Sequence, residues 1–152
     1  MTASPGRSST GRPGYLLKRA QSVLHAAMAA ALHEHDTTVS QYALLTALDE
    51  EPGLSNADLA RRTFVTPQTM NQLLRELEHK QWVTRRPHPD HGRILQAELT
   101  PQGHAALRSC HQAVNGIEEQ MLAELSPARR QQLAAALRAC IEALSQNRQP
   151  AP

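Results

Sequence analysis

The stretch SNADLARRTFVTPQTMNQLLRELEHK, residues 55–80, decides the fold. Ser55 with Asp58 three positions on marks a helix start: the hydroxyl accepts from a free first-turn N–H, and an acid there suits the positive end of the helix. After NADLARRT and a short turn, Thr66-Pro67 opens a second, longer helix. The threonine is the cap, and proline at the first helical position has no N–H to leave unsatisfied. Leu54, Leu59, Ala60, Val65, Met70, Leu73, Leu74 and Leu77 fall where two crossed helices need apolar contacts. A short helix, a tight turn and a longer helix with this interior follow the helix-turn-helix plan.

Working outward toward the C-terminus, WVTRR and ILQAELT alternate apolar and polar residues, with Ile94, Gln96 and Glu98 on one side and Leu95, Ala97 and Leu99 on the other. PHPDHG between them supplies turn residues, so the pair predicts a β-hairpin with a loop of about six residues. Thr100-Pro101 and Ser126-Pro127 repeat the cap-proline device and predict two long final helices. Their apolar stripes are Leu107, Cys110, Val114, Ile117, Met121 and Leu125, then Leu133, Leu137, Cys140, Ile141 and Leu144.

Toward the N-terminus, Ser40 is the expected cap of a helix QYALLTALDE, ended by EPG, in which proline restricts the preceding residue and glycine frees the turn. From Tyr15 to about Leu32, apolar residues recur at helical spacing over a face broad enough for burial on more than one side. Residues 1–14 and 146–152 are Pro/Gly/Ser-rich or polar, and are expected to be a disordered leader and tail. One domain over residues 15–145 is expected, with long apolar helices at about 15–35 and 100–145 flanking a compact unit at about 40–100.

Aromatics are 3% of the 152 residues, a composition suited to packed helices with little sheet. The two cysteines, Cys110 and Cys140, are too few for a disulfide scaffold, and no apolar run is long enough for a membrane span or signal peptide. A cytoplasmic protein without membrane association is expected. Net charge is only +2, but its distribution is uneven. Arg61, Arg62, Arg75, Lys80, Arg85, Arg86 and Arg93 face only Glu76, Glu78 and Asp90 within residues 61–93. Basic charge gathered in one segment of a near-neutral chain is the footprint of a nucleic-acid-binding face, although it also fits a solvated surface. Thr66, Pro67, Gln68, Thr69, Asn71, Gln72 and Arg75 open the second helix with side chains suited to a major groove. Asn and Gln can pair with adenine, Arg with guanine, and a Thr methyl can meet that of thymine.

The run LSNADLARRTFVTPQTMNQLLRELEHKQWVTRRPHPDHGRILQAELTPQGHAAL, set between long helices, resembles the MarR (multiple antibiotic resistance regulator) family of winged helix-turn-helix transcription factors. The matching features are Leu59-Ala60, the cap Thr66, Val83 with Arg85, Gly92-Arg93, and Leu99-Thr100-Pro101-Gln102-Gly103. The resemblance implies a mainly α fold with a small β-hairpin wing and dimerisation through the first and last helices. It also implies a near-palindromic operator on double-stranded DNA, and a small-molecule effector. On that reading residues 66–69, 71, 72 and 75 read DNA, and Arg85, Arg86, His91 and Arg93 on the wing hold the backbone or minor groove. Three positions depart from the family pattern. Phe64 and Gln81 stand where glycines are usual, so those turns are made either without φ > 0 or with strain. His91 stands where an aspartate usually orients the tip arginine, with Asp90 one step earlier.

The chain also holds residues that could serve other chemistries. His88, Asp90 and His91 at a hairpin tip with two prolines lack the rigid support a metal needs. His33, His35 and Asp36 at the end of the first long helix are the better metal candidates, set against histidines that simply favour a helix C-terminus. Neither cysteine has a neighbouring cation that would lower its thiol pKa, so both are expected as buried packing, with a thiol-responsive regulator as the alternative. No nucleophile elbow, phosphate loop or paired carboxylates point to an enzyme, and no metal or cofactor is expected. Lys18, Arg19 and His111 are candidates for holding an anionic or aromatic effector. A winged-helix module for protein interaction is the rival to sequence-specific DNA binding.

Overall fold

The computed structural model describes residues 9–146. Residues 1–8 and 147–152, which carry most of the expected leader and tail, lie outside the described residues. A short 3-10 turn at Ser9–Gly11 precedes helix α1 (Pro13–His33), which therefore begins two residues before the expected boundary, at a proline. Then follow α2 (Val39–Glu50), β1 (Leu54–Ser55), α3 (Asn56–Thr63), α4 (Pro67–His79), β2 (Val83–Pro87), β3 (Leu95–Leu99), α5 (Pro101–Met121) and α6 (Pro127–Gln146). The described residues fall into two compact units, one through Ile117 and one from Glu118.

The expected caps form at Ser55, whose hydroxyl accepts from the Asp58 N–H at 3.2 Å, and at Thr66, which accepts from the Thr69 N–H at 3.1 Å. Thr100 accepts from the Gly103 N–H at 3.0 Å, and Ser126 from the Arg129 N–H at 3.4 Å. The cap of α2 is Thr38 and not Ser40. Thr38 has Gln41 three positions on, and the two make a reciprocal capping box, which satisfies two orphan N–H groups at once; Ser40 lies inside the helix.

The hairpin is present, with Val83 opposite Leu99, Arg85 opposite Ala97 and Pro87 opposite Leu95, and residues 88–94 make its tip. The sequence did not signal β1, which pairs Leu54 with Ala97 on the other edge of β3, giving an antiparallel sheet of order β1-β3-β2. The Gly53 N–H, in a residue at φ 84°, extends that pairing to the Ala97 carbonyl at 3.0 Å.

The core of the first unit joins Leu44, Leu45 and Leu48 of α2, Leu59 of α3, Met70, Leu74 and Leu77 of α4, Val83 and Ala97 of the hairpin, and Leu107 of α5. Each fully buried leucine contributes roughly 1.5–3 kcal/mol, so α4 is held mainly through its inner face. Gly103, on the first turn of α5, lies where a Cβ would overlap the Trp82 carbonyl oxygen, so this close approach requires glycine. The broad burial expected of α1 is not met within the chain: only Leu32 is buried, while Leu16, Leu17 and Val23 are exposed. In the second unit α6 has no buried residue at all.

Both departures from glycine adopt left-handed backbone, Phe64 at φ 58° and Gln81 at φ 62°. That conformation costs a non-glycine residue about 1–2 kcal/mol. Hydrogen bonds around the turns offset part of it: Val65 N–H to the Ala60 carbonyl at 3.0 Å, and Trp82 N–H to the Leu77 carbonyl at 2.9 Å. The Gln81 carbonyl also accepts from the Thr100 hydroxyl at 2.6 Å, which ties the start of the hairpin to the start of α5.

Candidate nucleic-acid interface

Helix α4 buries Met70, Leu73, Leu74 and Leu77 and turns its opposite face to solvent. Thr66, Pro67, Gln68, Thr69, Gln72 and Arg75 are exposed there and Asn71 is half-buried, so the structure gathers all seven expected residues at the front of one helix. Asn56 at the start of α3 donates to the Pro67 carbonyl at 3.3 Å and bridges the starts of the two helices. Its Oδ1 is buried without a partner, a feature the sequence did not reveal.

The wing supplies a second set. Arg86, His91 and Arg93 are exposed as expected. Arg85 is not: its side chain is 17% exposed, and its Nε and Nη2 meet both oxygens of Glu78 at 2.9 and 2.7 Å. That bidentate pairing raises the already high pKa of Arg85. It also answers the charge locally, so Arg85 is a strut between the wing and α4 rather than an open cation. Its remaining donor, Nη1, reaches Asn71 Oδ1 at 3.2 Å. The pairing spans a turn and a change of element, which a reading by local periodicity does not detect.

At the wing tip the Asp90 N–H donates to His88 Nδ1 at 3.0 Å, and the His88 and His91 rings lie 5.2 Å apart. Among the described residues no carboxylate, Asp90 included, forms an ion pair with Arg93. Between α4 and the wing runs an open groove of about 570 Å³, walled by Gln68, Asn71, Arg85 and Arg93 and floored by Leu74 and Leu95.

Farther along α4, exposed Gln72 donates from Nε2 to Glu76 Oε1 at 3.0 Å, and Gln41 of α2 donates from Nε2 to Glu76 Oε2 at 2.9 Å. These two hydrogen bonds, with the charge of Lys80, hold the Glu76 carboxyl below its usual range against a small burial penalty. Lys80 also meets Gln41 Oε1 and Asp36 at 3.3 Å each and lies over the Trp82 ring. At the start of α3 the Ser55 hydroxyl, aided by Arg61, likewise lowers the pKa of Asp58.

The other candidates are dispersed. Asp36 takes left-handed backbone and pairs with Lys80, and no three of the described His, Cys, Asp and Glu side chains converge on a metal-sized site. Cys110 is buried, with its thiol 3.4 Å from the Thr37 hydroxyl, whereas Cys140 is exposed, because α6 finds no cover in its own unit. His111 Nδ1 lies 2.8 Å from the Tyr42 hydroxyl. Tyr42 lines a groove of about 380 Å³ with Met28, Thr46 and Phe64, whereas Lys18 and Arg19 stand exposed on α1 and are not among its lining residues. No helix among the described residues is long and apolar enough to cross a membrane.

A helix-turn-helix whose second helix presents polar side chains beside a basic hairpin defines a winged helix-turn-helix protein. The MarR family model matches residues 35–94. Over 113 residues the chain is 40% identical to the HTH-type transcriptional repressor Rv2887 of Mycobacterium tuberculosis, covering 74% of this chain and 81% of that protein. The crystal structure of Rv2887 in complex with DNA superposes with a TM-score of 0.74 at 33% identity, covering 86% of this chain and 98% of that one. Its complex with salicylic acid gives a TM-score of 0.71 at 35% identity over 87% and 98%. The chain belongs to the MarR family, whose members are transcriptional regulators and not enzymes.

Proposed function

We propose that this chain is a homodimeric transcriptional repressor that binds a near-palindromic operator and is released by a small aromatic acid. The observation that carries the reading is the exposed front of α4 beside a cationic wing, in a chain 33% identical to a relative solved with DNA. In this reading the front of α4 enters the major groove, with Thr66, Pro67, Gln68, Thr69, Asn71, Gln72 and Arg75 meeting bases or nearby phosphates. Arg86, Arg93 and His91 hold the backbone or minor groove, and Arg85 supports them from behind. Residues 15–145 act together, the helices at about 15–35 and 100–145 joining two copies through apolar faces that are exposed in the single chain. The two reading helices then address half-sites roughly 34–36 Å apart.

The salicylic acid complex of Rv2887 supports an aromatic acid as effector. The groove beside Tyr42 is of a size to take one, and His111, bonded to Tyr42, is the residue through which it would be felt. The test is selection of bound sequences from a random duplex pool, followed by salt titration and addition of salicylate. A palindrome should emerge, Arg93→Ala should lower the log–log salt slope by about one unit, and salicylate should weaken binding. Binding with no preference over random duplex would instead point to a protein-interaction module.

A further inference from the structure

We propose that Asn71 and Gln72, neighbours on the reading face of α4, present opposite hydrogen-bonding polarities to a duplex because Arg85 and Glu76 dictate which end of each amide faces the protein. The inference rests on the DNA-reading function proposed above. An Asn or Gln amide has one accepting end and one donating end, and a free one turns either way. Neither is free here. Arg85 carries only donors, so the Asn71 atom 3.2 Å from its Nη1 is the oxygen, and the Nδ2 donors are turned away from it. Arg85 is itself immobilised by both oxygens of Glu78.

Glu76 is the reverse case. A carboxylate only accepts, so the Gln72 atom 3.0 Å from Oε1 is the nitrogen, and the Gln72 carbonyl oxygen is left for the groove. The orientation of Glu76 is fixed in turn from the protein interior. Buried Gln41 accepts the Thr38 backbone N–H at its Oε1, at 3.3 Å, and therefore directs its own Nε2 at Glu76 Oε2, at 2.9 Å. Every link in this chain has only one possible sense.

The consequence replaces the simple expectation that both amides read adenine. Asn71 offers donors, which suit guanine O6 or N7, thymine O4 or adenine N7 and are opposed by the cytosine amine. Gln72 offers an acceptor, which suits the amines of adenine or cytosine and is opposed by guanine and thymine, whose polar major-groove atoms only accept. Glu76, Arg85 and Glu78 are thus positioning residues: they set base preference without touching the duplex.

The experiment uses the full chain and the same random-pool selection, followed by affinities for every single-base change in the selected site. For the wild type, one position should exclude cytosine and a nearby one both guanine and thymine, each by about fivefold or more. Asn71→Asp keeps an oxygen toward Arg85 and exchanges the outward donor for an acceptor, so the first position should invert in favour of cytosine or adenine. Glu76→Gln must keep its oxygen toward Gln41 Nε2 and so turns its amide nitrogen toward Gln72, which then accepts inward and presents donors; preference at the second position should move from adenine or cytosine toward guanine or thymine, with thermal stability lowered only slightly. If the wild type selects a motif and both variants select the same bases at every position, the inference is overturned and the regulator stands. If the wild type selects no sequence, both are overturned. Should Glu76→Gln lower stability more than slightly, Asn71→Asp, which keeps its inward bond, decides alone.

Discussion

Helices α4 and α6 carry similar apolar spacing and meet opposite fates. In α4, Met70, Leu74 and Leu77 are fully buried within one unit. In α6, Ile141 is 64% and Leu144 72% exposed, and no residue of the helix is buried. Periodicity reports which face of a helix requires cover, and is silent on whether that cover belongs to the same chain. The α4 stripe is answered by α2, α3 and the hairpin, so the first unit has its own core. For α6 we propose that the answer is a second copy.

The strongest challenge to this contrast is a pair of substitutions. Leu77→Ala should destabilise by about 3 kcal/mol through lost burial and a cavity, by an amount independent of protein concentration in chemical unfolding. Ile141→Asp should leave the secondary structure of the head intact but raise the dimer dissociation constant about a hundredfold, equivalent to about 3 kcal/mol, measured by sedimentation equilibrium. A monomer–dimer balance unmoved by Ile141→Asp would remove α6 from the interface.

A smaller effect is expected at the turn between α3 and α4. Phe64 is 95% exposed and left-handed, so its side chain contributes little burial while its backbone is strained. Phe64→Gly should stabilise by about 1 kcal/mol, seen as a raised melting temperature. The smallest effect is electrostatic. The pKa of Glu76 is lowered from its ordinary value of 4.5 by Gln72 and Gln41, so its contribution is complete above that value and fades as pH falls through the lower folded-state pKa. The stability difference between wild type and Glu76→Gln should therefore narrow below about pH 4.5 in thermal melts. A difference that widens on acidification would contradict the hydrogen bonds assigned to Glu76.

What could be read from the chain in advance was local. Thr66, Thr100 and Ser126, each followed by proline, marked three helix starts because a cap is a contact between residues three apart. Thr38 and Ser40 are both hydroxyls, and Gln41 decides between them only through a reciprocal bond. Strand β1 is not legible in the sequence because its partner Ala97 lies more than forty residues away and two residues carry no alternation. Within the candidate site, the exposed front of α4 was legible and the role of Arg85 was not. An arginine on a wing looks like any other until Glu78 is found across the turn.

The two-residue strand β1 sets a mechanical limit on the head. It fastens the start of α3 to β3, β3 carries the wing, and α3 is bonded through Asn56 to the start of α4. The helix and the wing are therefore the jaws of one caliper whose opening is preset by a sheet. If α4 and the wing engage DNA as proposed, such a gauge tests a duplex for the distance between adjacent grooves. The elastic work of closing a mismatch falls on the DNA, whose stiffness varies with sequence even at base pairs no side chain reaches.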